Sequence, residues 1–318
     1  MGMKQADVYP MIMAMLGAVL FGASAPVSKI FLGVVDPVLM AALLYLGSGI
    51  GLLIFMLARP LLGMKPGERI VKADIPWLAG AVLAGGVAAP IVLMLGLQAT
   101  QASTASLLLN FECVATTVLA VFLFREQVGM RTWMAAGCIT LSSMILSSQS
   151  GGLGLSAGAL GIIAACILWG LDNNFTRNIS TRDPLMIGVT KGLVAGSFSL
   201  ILALIIGNRL PSIYIILGAM LLGCVSYGLS VVLFIVSMRT LGAARTSAWF
   251  AIAPFAGAAI SFLVFQNNPG VMFLISLPLM VLGAFLLFGE EHGHVHMHVH
   301  GAIAHEHLHN DAEHHHDP

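Results

Sequence analysis

Of 318 residues, 58% are hydrophobic and only 9% are charged, against roughly a quarter charged in a soluble globular protein, which excludes a soluble domain. Lysine plus arginine equals aspartate plus glutamate at 14 each. With no basic patch, nucleic acid is excluded as a partner, and a mean hydropathy of +0.95 indicates an all-α polytopic membrane protein.

In chain order, the N-terminus imitates a secretory signal, with Lys4 before an apolar stretch and Ala23-Ser24-Ala25 resembling a cleavage site. The apolar run from Met11 to Leu32 is nevertheless long enough to span, so an uncleaved first helix is expected. Ten apolar segments follow one another at about 11–32, 37–58, 76–97, 101–124, 132–149, 155–173, 184–207, 212–237, 243–265 and 270–289. Each is roughly 18–26 residues long, matching a hydrocarbon core of about 30 Å. Connections are short except Arg59 to Asp74.

Basic residues set an expected orientation. With the N-terminus inside, Lys4, Arg59, Lys65, Arg69, Lys72, Arg125, Arg131, Arg177, Arg182, Arg239 and Arg245 are cytoplasmic, and only Lys29 and Arg209 lie outside. The bias places both termini in the cytoplasm of a multi-pass inner-membrane protein.

The chain also repeats itself. Leu20-Phe21-Gly22, Ser28-Lys29 and Asp36-Pro37 match Leu168-Trp169-Gly170, Thr176-Arg177 and Asp183-Pro184. Gly80-Ala81 and Gly85 match Gly218-Ala219 and Gly223, and Ala105-Ser106 matches Thr246-Ser247. Five segments per repeat is an odd number, so the halves are expected to insert upside down relative to each other, the architecture of many alternating-access carriers. The expected division is one repeat over 1–149, a second over 150–289, and a tail over 290–318.

These segments resemble the drug/metabolite transporter superfamily, EamA type, over about residues 11–289. The resemblance rests on Ala105-Ser106-Leu107-Leu108-Leu109-Asn110-Phe111-Glu112, on the Phe124-Arg125-Glu126 exit from that segment, and on the Asp-Pro pairs that open the second and seventh segments. It implies a ten-helix carrier of small metabolites, often an exporter, with a central cavity between the repeats. The chain departs from the family pattern in several places. Cys113 rather than proline follows Glu112, Ala253 rather than glutamate precedes Pro254, Asn267 replaces an acid, and Lys191 stands where an arginine is common, with Leu44 as its repeat mate. The two halves are therefore chemically unequal.

Candidate substrate or coupling residues are Glu112, Asp172, Lys191, Asn110, Ser106, Trp169, Tyr227 and Trp249. A charged side chain at membrane depth costs about 2.5–3.5 kcal/mol on insertion scales, so Glu112 is expected to face a cavity or a partner. It serves either as a proton or amine site or as a structural carboxyl. Trp169, Asp172 and Thr176 share a helical face, and Asp172 either lines the cavity or pairs with Lys191 or Arg177. Lys191 either anchors a substrate carboxylate, pairs with an acid, or snorkels to the interface. Ser103, Ser106, Asn110, Cys113 and Thr117 form a polar stripe that either lines a path or only bonds its own backbone. Tyr227, Trp249 and Phe250 are aromatic walls or plain core. Glycines 47 and 51, and 188, 192 and 196, are packing ridges. Ala89-Pro90 and Pro254 mark kinks. Cys113, Cys138, Cys166 and Cys224 have no paired spacing and are expected to be buried small hydrophobes. No metalloprotease, nucleophile-elbow or dinucleotide motif occurs, and no enzyme is expected.

All eleven histidines lie in the last 27 residues: His292, His294, His296, His298, His300, His305, His307, His309, His314, His315 and His316. Such a run binds zinc, nickel or cobalt loosely and is expected to be a disordered metal buffer or sensor. A purification tag and a solvated end without a role are the alternatives. No cofactor is required. The expected partners are the lipid bilayer, a small-molecule substrate and divalent metal at the tail, and a homodimer stays open. The leading reading is a secondary carrier, an exporter of a small polar metabolite such as an amino acid. A carrier of divalent metal or a metal-linked compound, and a membrane-anchored metal sensor, are the competing readings. Against bare metal as cargo, the spans hold no histidine and few acids, while divalent ions need several first-shell ligands.

Overall fold

The computed structural model describes residues 5–63, 65–125, 129–147, 156–179, 181–241, 252–288, 294–300 and 303–309. The apolar runs fold as helices because a hydrocarbon environment leaves backbone polar groups no partner but each other. In chain order these are α1 (Gln5–Gly22), α2 (Ser24–Phe31), α3 (Pro37–Ala58), α4 (Ile75–Ala81), α5 (Ala89–Gln98), α6 (Ala102–Leu108), α7 (Phe111–Phe124) and α8 (Met130–Ser147). They continue with α9 (Ala157–Arg177), α10 (Pro184–Ile205), α11 (Ile213–Leu222), α12 (Ser230–Leu241), α13 (Ala253–Phe265) and α14 (Val271–Phe288).

Among the described residues, seven helical runs are long and apolar enough to cross a membrane: Tyr9–Phe31, Pro37–Leu62, Lys72–Gln98, Ala102–Leu123, Ala157–Arg177, Pro184–Ile205 and Ile213–Phe234. Two shorter apolar helices cover Ala253–Phe265 and Val271–Leu286. The fifth expected segment is helical as α8, but Arg131, Thr132, Ser142 and Ser143 dilute its apolar character. It is nonetheless held against α14, where Ser142 Oγ donates to the Ser276 carbonyl at 2.8 Å.

Two of the spans are interrupted in the same way. Between α4 and α5 lies a π-helical stretch, Val82–Ala88, and between α11 and α12 lies another, Gly223–Leu229. A π segment widens the helix by shifting its bonds to the i→i+5 pattern and often marks a functional site. The kink expected at Ala89-Pro90 therefore takes the form of a π segment ending at Ala88. Pro90 donates no N–H and its ring would crowd the carbonyl four residues back, and the wider turn relieves both.

The fourth expected segment is also not one helix. It breaks at Leu109-Asn110, where Asn110 Nδ2 donates to the Leu107 carbonyl at 3.3 Å. The Glu112 N–H reaches back only three residues, to Leu109 at 3.1 Å. This tight turn lies immediately before Glu112.

Small residues set the helix crossings. α3 packs along α10 and also against the second π segment. A methyl on Gly192 would strike the backbone of Gly49, and one on Gly223 would strike the carbonyl of Leu44. The glycine ridges thus act as packing surfaces, bringing backbones into contact where lipid provides no hydrophobic drive. The principal core joins α3, α5, α6, α9 and their neighbours through Leu39, Met40, Leu44, Leu93, Leu107 and Ile162.

The cysteines do not all behave as buried small hydrophobes. Cys166 is buried, Cys138 and Cys224 are half-buried, and Cys113 is exposed, in a crevice between α7 and α8 that Thr117, Thr132 and Ile139 also line. The described parts of the tail, residues 294–300 and 303–309, depart from the expectation of disorder. Two strands, β1 (His294–His300) and β2 (Ile303–His309), pair antiparallel with His294 opposite His309, His296 opposite His307 and His298 opposite His305. Histidine alternates with Val and Met along β1 and with Glu306 and Leu308 over His305–His309 of β2, a period-two pattern that suits a strand.

Candidate functional site

The intramembrane charges converge where α7, α9, α10 and the first π segment meet. Asp172, on α9, is buried, and the Lys191 Nζ of α10 reaches both of its oxygens, at 2.6 Å to Oδ1 and 2.5 Å to Oδ2. Thr176 Oγ1, one turn on, donates to Asp172 Oδ1 at 3.0 Å. Of the partners open to Asp172 in the sequence, the structure places Lys191 on it. Only 7% of the Asp172 side chain and 18% of the Lys191 side chain are exposed. Such a pair offsets the cost of two charges at depth only while both partners stay.

Gly85, in the π segment, faces this pair. A methyl there would overlap Asp172 Oδ2, so only glycine lets the carboxylate approach the segment this closely. The Gly85 carbonyl accepts two side-chain donors, Tyr45 OH at 2.6 Å from α3 and Trp169 Nε1 at 3.1 Å from α9. A helix interior would normally commit that carbonyl to its own backbone. The irregular segment instead fastens two aromatic side chains around the ion pair. Tyr227, in the second π segment, stacks tilted on Tyr45 with ring centroids 5.9 Å apart and edge-on to Phe21 at 5.6 Å. Tyr227 of the second π segment thereby joins Tyr45 and Trp169, both held by the Gly85 carbonyl of the first, in one aromatic wall.

Glu112 lies on the neighbouring face. Its Oε1 accepts from Asn173 Nδ2 at 2.9 Å, and Asn173 also donates to Thr116 Oγ1 at 3.1 Å. Asn174 ties the same two helices together, donating to the Thr116 carbonyl at 3.1 Å and the Gly170 carbonyl at 2.8 Å. Among the described residues Glu112 has no basic side chain within ion-pair distance. The cluster therefore holds two acids and one base, and the unmatched acid is bonded through a neutral amide.

The remaining sequence candidates separate. Trp169 and Tyr227 belong to the cluster. Ser106 and Asn110 do not bond into it, since Ser106 Oγ donates to the Ala102 carbonyl at 2.8 Å and Asn110 Nδ2 to the Leu107 carbonyl at the end of α6. Both are buried at the joint between α6 and α7. Trp249 and Phe250 lie outside the described residues, as do His292, His314, His315 and His316. Tyr45, Gly85, Thr116 and Asn173 were given no role by the sequence. Asn173 could have been found as the amide beside Asp172, on the α9 face turned toward α7. Tyr45 and Gly85 act through tertiary placement alone. Among the described residues no three His, Cys, Asp or Glu side chains converge as metal ligands do.

A second charged group lies toward one end of the bundle, where the segment after α3 meets the turn between α9 and α10. Arg59 grips Asp183 with Nη1 at 2.5 Å and Nη2 at 2.9 Å, both side chains under a tenth exposed. Asp183 also caps α10 by accepting from Leu185 N at 3.0 Å, and it accepts from Gly67 N at the same distance. Next to it, Arg182 bonds Asp74 and Glu68, each at 2.7 Å. The Arg59 guanidinium, helped by the Gly67 and Leu185 amides, outweighs burial and holds the Asp183 carboxyl down to about 2.

The sequence pattern of the EamA-like transporter family matches residues 8–148 and again 156–289. The chain belongs to the EamA-like transporter family. An uncharacterized transporter of Methanothermobacter thermautotrophicus is 29% identical over 288 residues, which cover 85% of this chain and 83% of that protein. A solved crystal structure aligns with a TM-score of 0.61 over 86% of this chain and 94% of its own, at 18% identity, a likeness of fold alone. The family assignment makes the chain a multi-pass membrane protein of a transporter family. It also gives the doubled arrangement a context, since the two matched stretches each contain one π segment.

Proposed function

We propose that this EamA-like transporter is a secondary carrier that exports a small polar metabolite such as an amino acid through the Glu112–Asp172–Lys191 cluster. The observation that carries the reading is that cluster. A transport site must exchange partners, and Glu112 holds a neutral amide rather than a fixed cation, which leaves its carboxylate free to take a proton or a substrate amine. Asp172 and Lys191 would serve as alternating partners for the charged ends of a zwitterion. Tyr45, Trp169 and Tyr227 supply walls suited to a small solute.

Ten spans in two inverted five-helix repeats belong to the same reading. Its support is a packing pattern that maps onto itself when the halves are exchanged. α1 lies against α12 and α13, as α9 lies against α5 and α7. α3 crosses α10, α6 meets α13, and α8 meets α14. The basic-residue bias supports an inner-membrane location with both termini and the tail in the cytoplasm. Uptake into vesicles, compared between the full chain and one lacking residues 292–318, separates a carrier from a membrane-anchored sensor. A carrier continues to transport without the tail.

The tail motivates the competing metal reading, with zinc, nickel or cobalt bound there and a divalent metal or metal-linked compound as cargo. Removing His292–Pro318 is expected to abolish most immobilised-metal binding while leaving the helical bundle folded, because every histidine lies in that stretch. Calorimetry with zinc and nickel on the truncated chain checks this. Strong residual binding would move the metal site into the bundle.

A further inference from the structure

We propose that a cavity at the other end of the bundle, away from the Arg59–Asp183 clamp, binds the carboxylate of a small solute. The cavity has a volume of about 270 Å³ and is lined by Lys29, Gln98, Gln101, Phe265 and Asn267, with small residues between them. That is just below the roughly 300 Å³ at which ligand pockets begin, enough for a few heavy atoms. Its walls come from both halves of the chain. Lys29 precedes the end of α2, Gln98 ends α5, and Phe265 ends α13. Gln266, in the left-handed region at φ 51°, turns the chain so that Phe265 and Asn267 both reach the cavity.

The chemistry of the lining is cationic and donor-rich. Lys29 Nζ donates to the Leu97 carbonyl at 2.6 Å and the Gln98 carbonyl at 2.7 Å, the last carbonyls of α5. Capping a helix C-terminus explains two of the three ammonium hydrogens and leaves the third. Among the described residues no acid lines the cavity and no carboxylate pairs with Lys29. Two glutamine amides and the Asn267 amide can donate beside it. The equivalent turn in the first half also has a left-handed residue, Arg125 at φ 55°, and is followed by Glu126, whereas here the turn is followed by Asn267. An amide in place of an acid leaves the ammonium charge uncompensated. A charge-assisted bond from ammonium to carboxylate, with amides on the second oxygen, fits this lining.

The test uses the full chain in lipid nanodiscs and follows N-trifluoroacetylglycine by ¹⁹F NMR titration, with its primary amide as the neutral control. Saturable binding of the acid and none of the amide is expected. Lys29→Met should weaken binding at least tenfold. Asn267→Asp, at an exposed position that leaves Lys29 in place, should weaken it comparably by giving the ammonium an internal partner. Equal binding of acid and amide, or wild-type affinity in Asn267→Asp, overturns the proposal. So does binding that survives both substitutions and is lost in Asp172→Asn, which would place the probe in the central cluster. Binding is read without transport, so failure of the carrier reading would not be mistaken for failure of this one.

Discussion

Asp183→Ala is expected to destabilise the folded bundle by about 3–5 kcal/mol, because it strands the buried Arg59 guanidinium without its carboxylate. The same change removes the cap of α10 and the acceptor for Gly67 N, so the segment after α3 loses its tether as well. The double variant Arg59→Met, Asp183→Ala should cost less than the two single variants summed, because no charge is left buried alone. Thermal unfolding in detergent, followed by circular dichroism, measures all three. Additive losses would mean the residues act separately.

The pH dependence of this effect has a definite sign. The Asp183 carboxyl titrates at about 2 in the folded protein, below its ordinary value of 3.8. Its stabilising contribution, about 2 kcal/mol by linkage, is therefore complete above the ordinary value and is lost as pH falls from about 4 through about 2. The gap in melting temperature between wild type and Asp183→Ala should hold constant from pH 7 to about 4 and narrow below that. A gap that closed near neutral pH would point to a different group.

The pair inside the membrane gives the second large effect. Lys191→Gln leaves Asp172 buried with only Thr176 beside it, and Asp172→Asn leaves the Lys191 ammonium without a counter-charge. Each single change should cost about 3–5 kcal/mol in stability, and the double change clearly less than the sum. Transport separates structure from function. If the pair only holds α9 to α10, the double variant regains transport along with stability. If the two groups bind the ends of a substrate, the double variant folds but stays inactive. Vesicle uptake alongside unfolding data distinguishes the two.

Much of the bundle was legible in the chain because membrane spans are set by the length of apolar runs: among the described residues seven of the ten expected segments are helical runs of spanning length, and the fifth, ninth and tenth carry shorter or less apolar helices. Asp172 with Lys191, and the aromatic side chains of Trp169 and Tyr227, were visible as polar or bulky residues out of place in apolar surroundings. Of the two π segments, the first was visible only as a kink at Ala89-Pro90 and the second not at all. Nothing in Val82–Ala88 or Gly223–Leu229 demands i→i+5 bonding. Pro90 accounts for the wider turn in one case; in the other, Gly223 lies against the Leu44 carbonyl of α3, a tertiary contact of which sequence periodicity carries no trace. The joint at Asn110 was hidden because a serine or asparagine stripe reads the same whether it lines a path or bonds its own backbone. The Arg59–Asp183 clamp joins residues 124 positions apart. The charge pattern assigned Arg59 to a membrane face, where an arginine suffices without any partner.

In the proposed transport cycle Glu112 exchanges a proton or a substrate amine. The decisive measurement is proteoliposome uptake by Glu112→Gln beside wild type across pH 6–8, with unfolding followed on the same preparations. Glutamine keeps the size and can still accept from Asn173, but it cannot ionise. The expected result is a normally folded protein whose transport falls at least tenfold and no longer responds to pH. Wild-type transport with an unchanged pH profile would make Glu112 a structural carboxyl and contradict the mechanism proposed here.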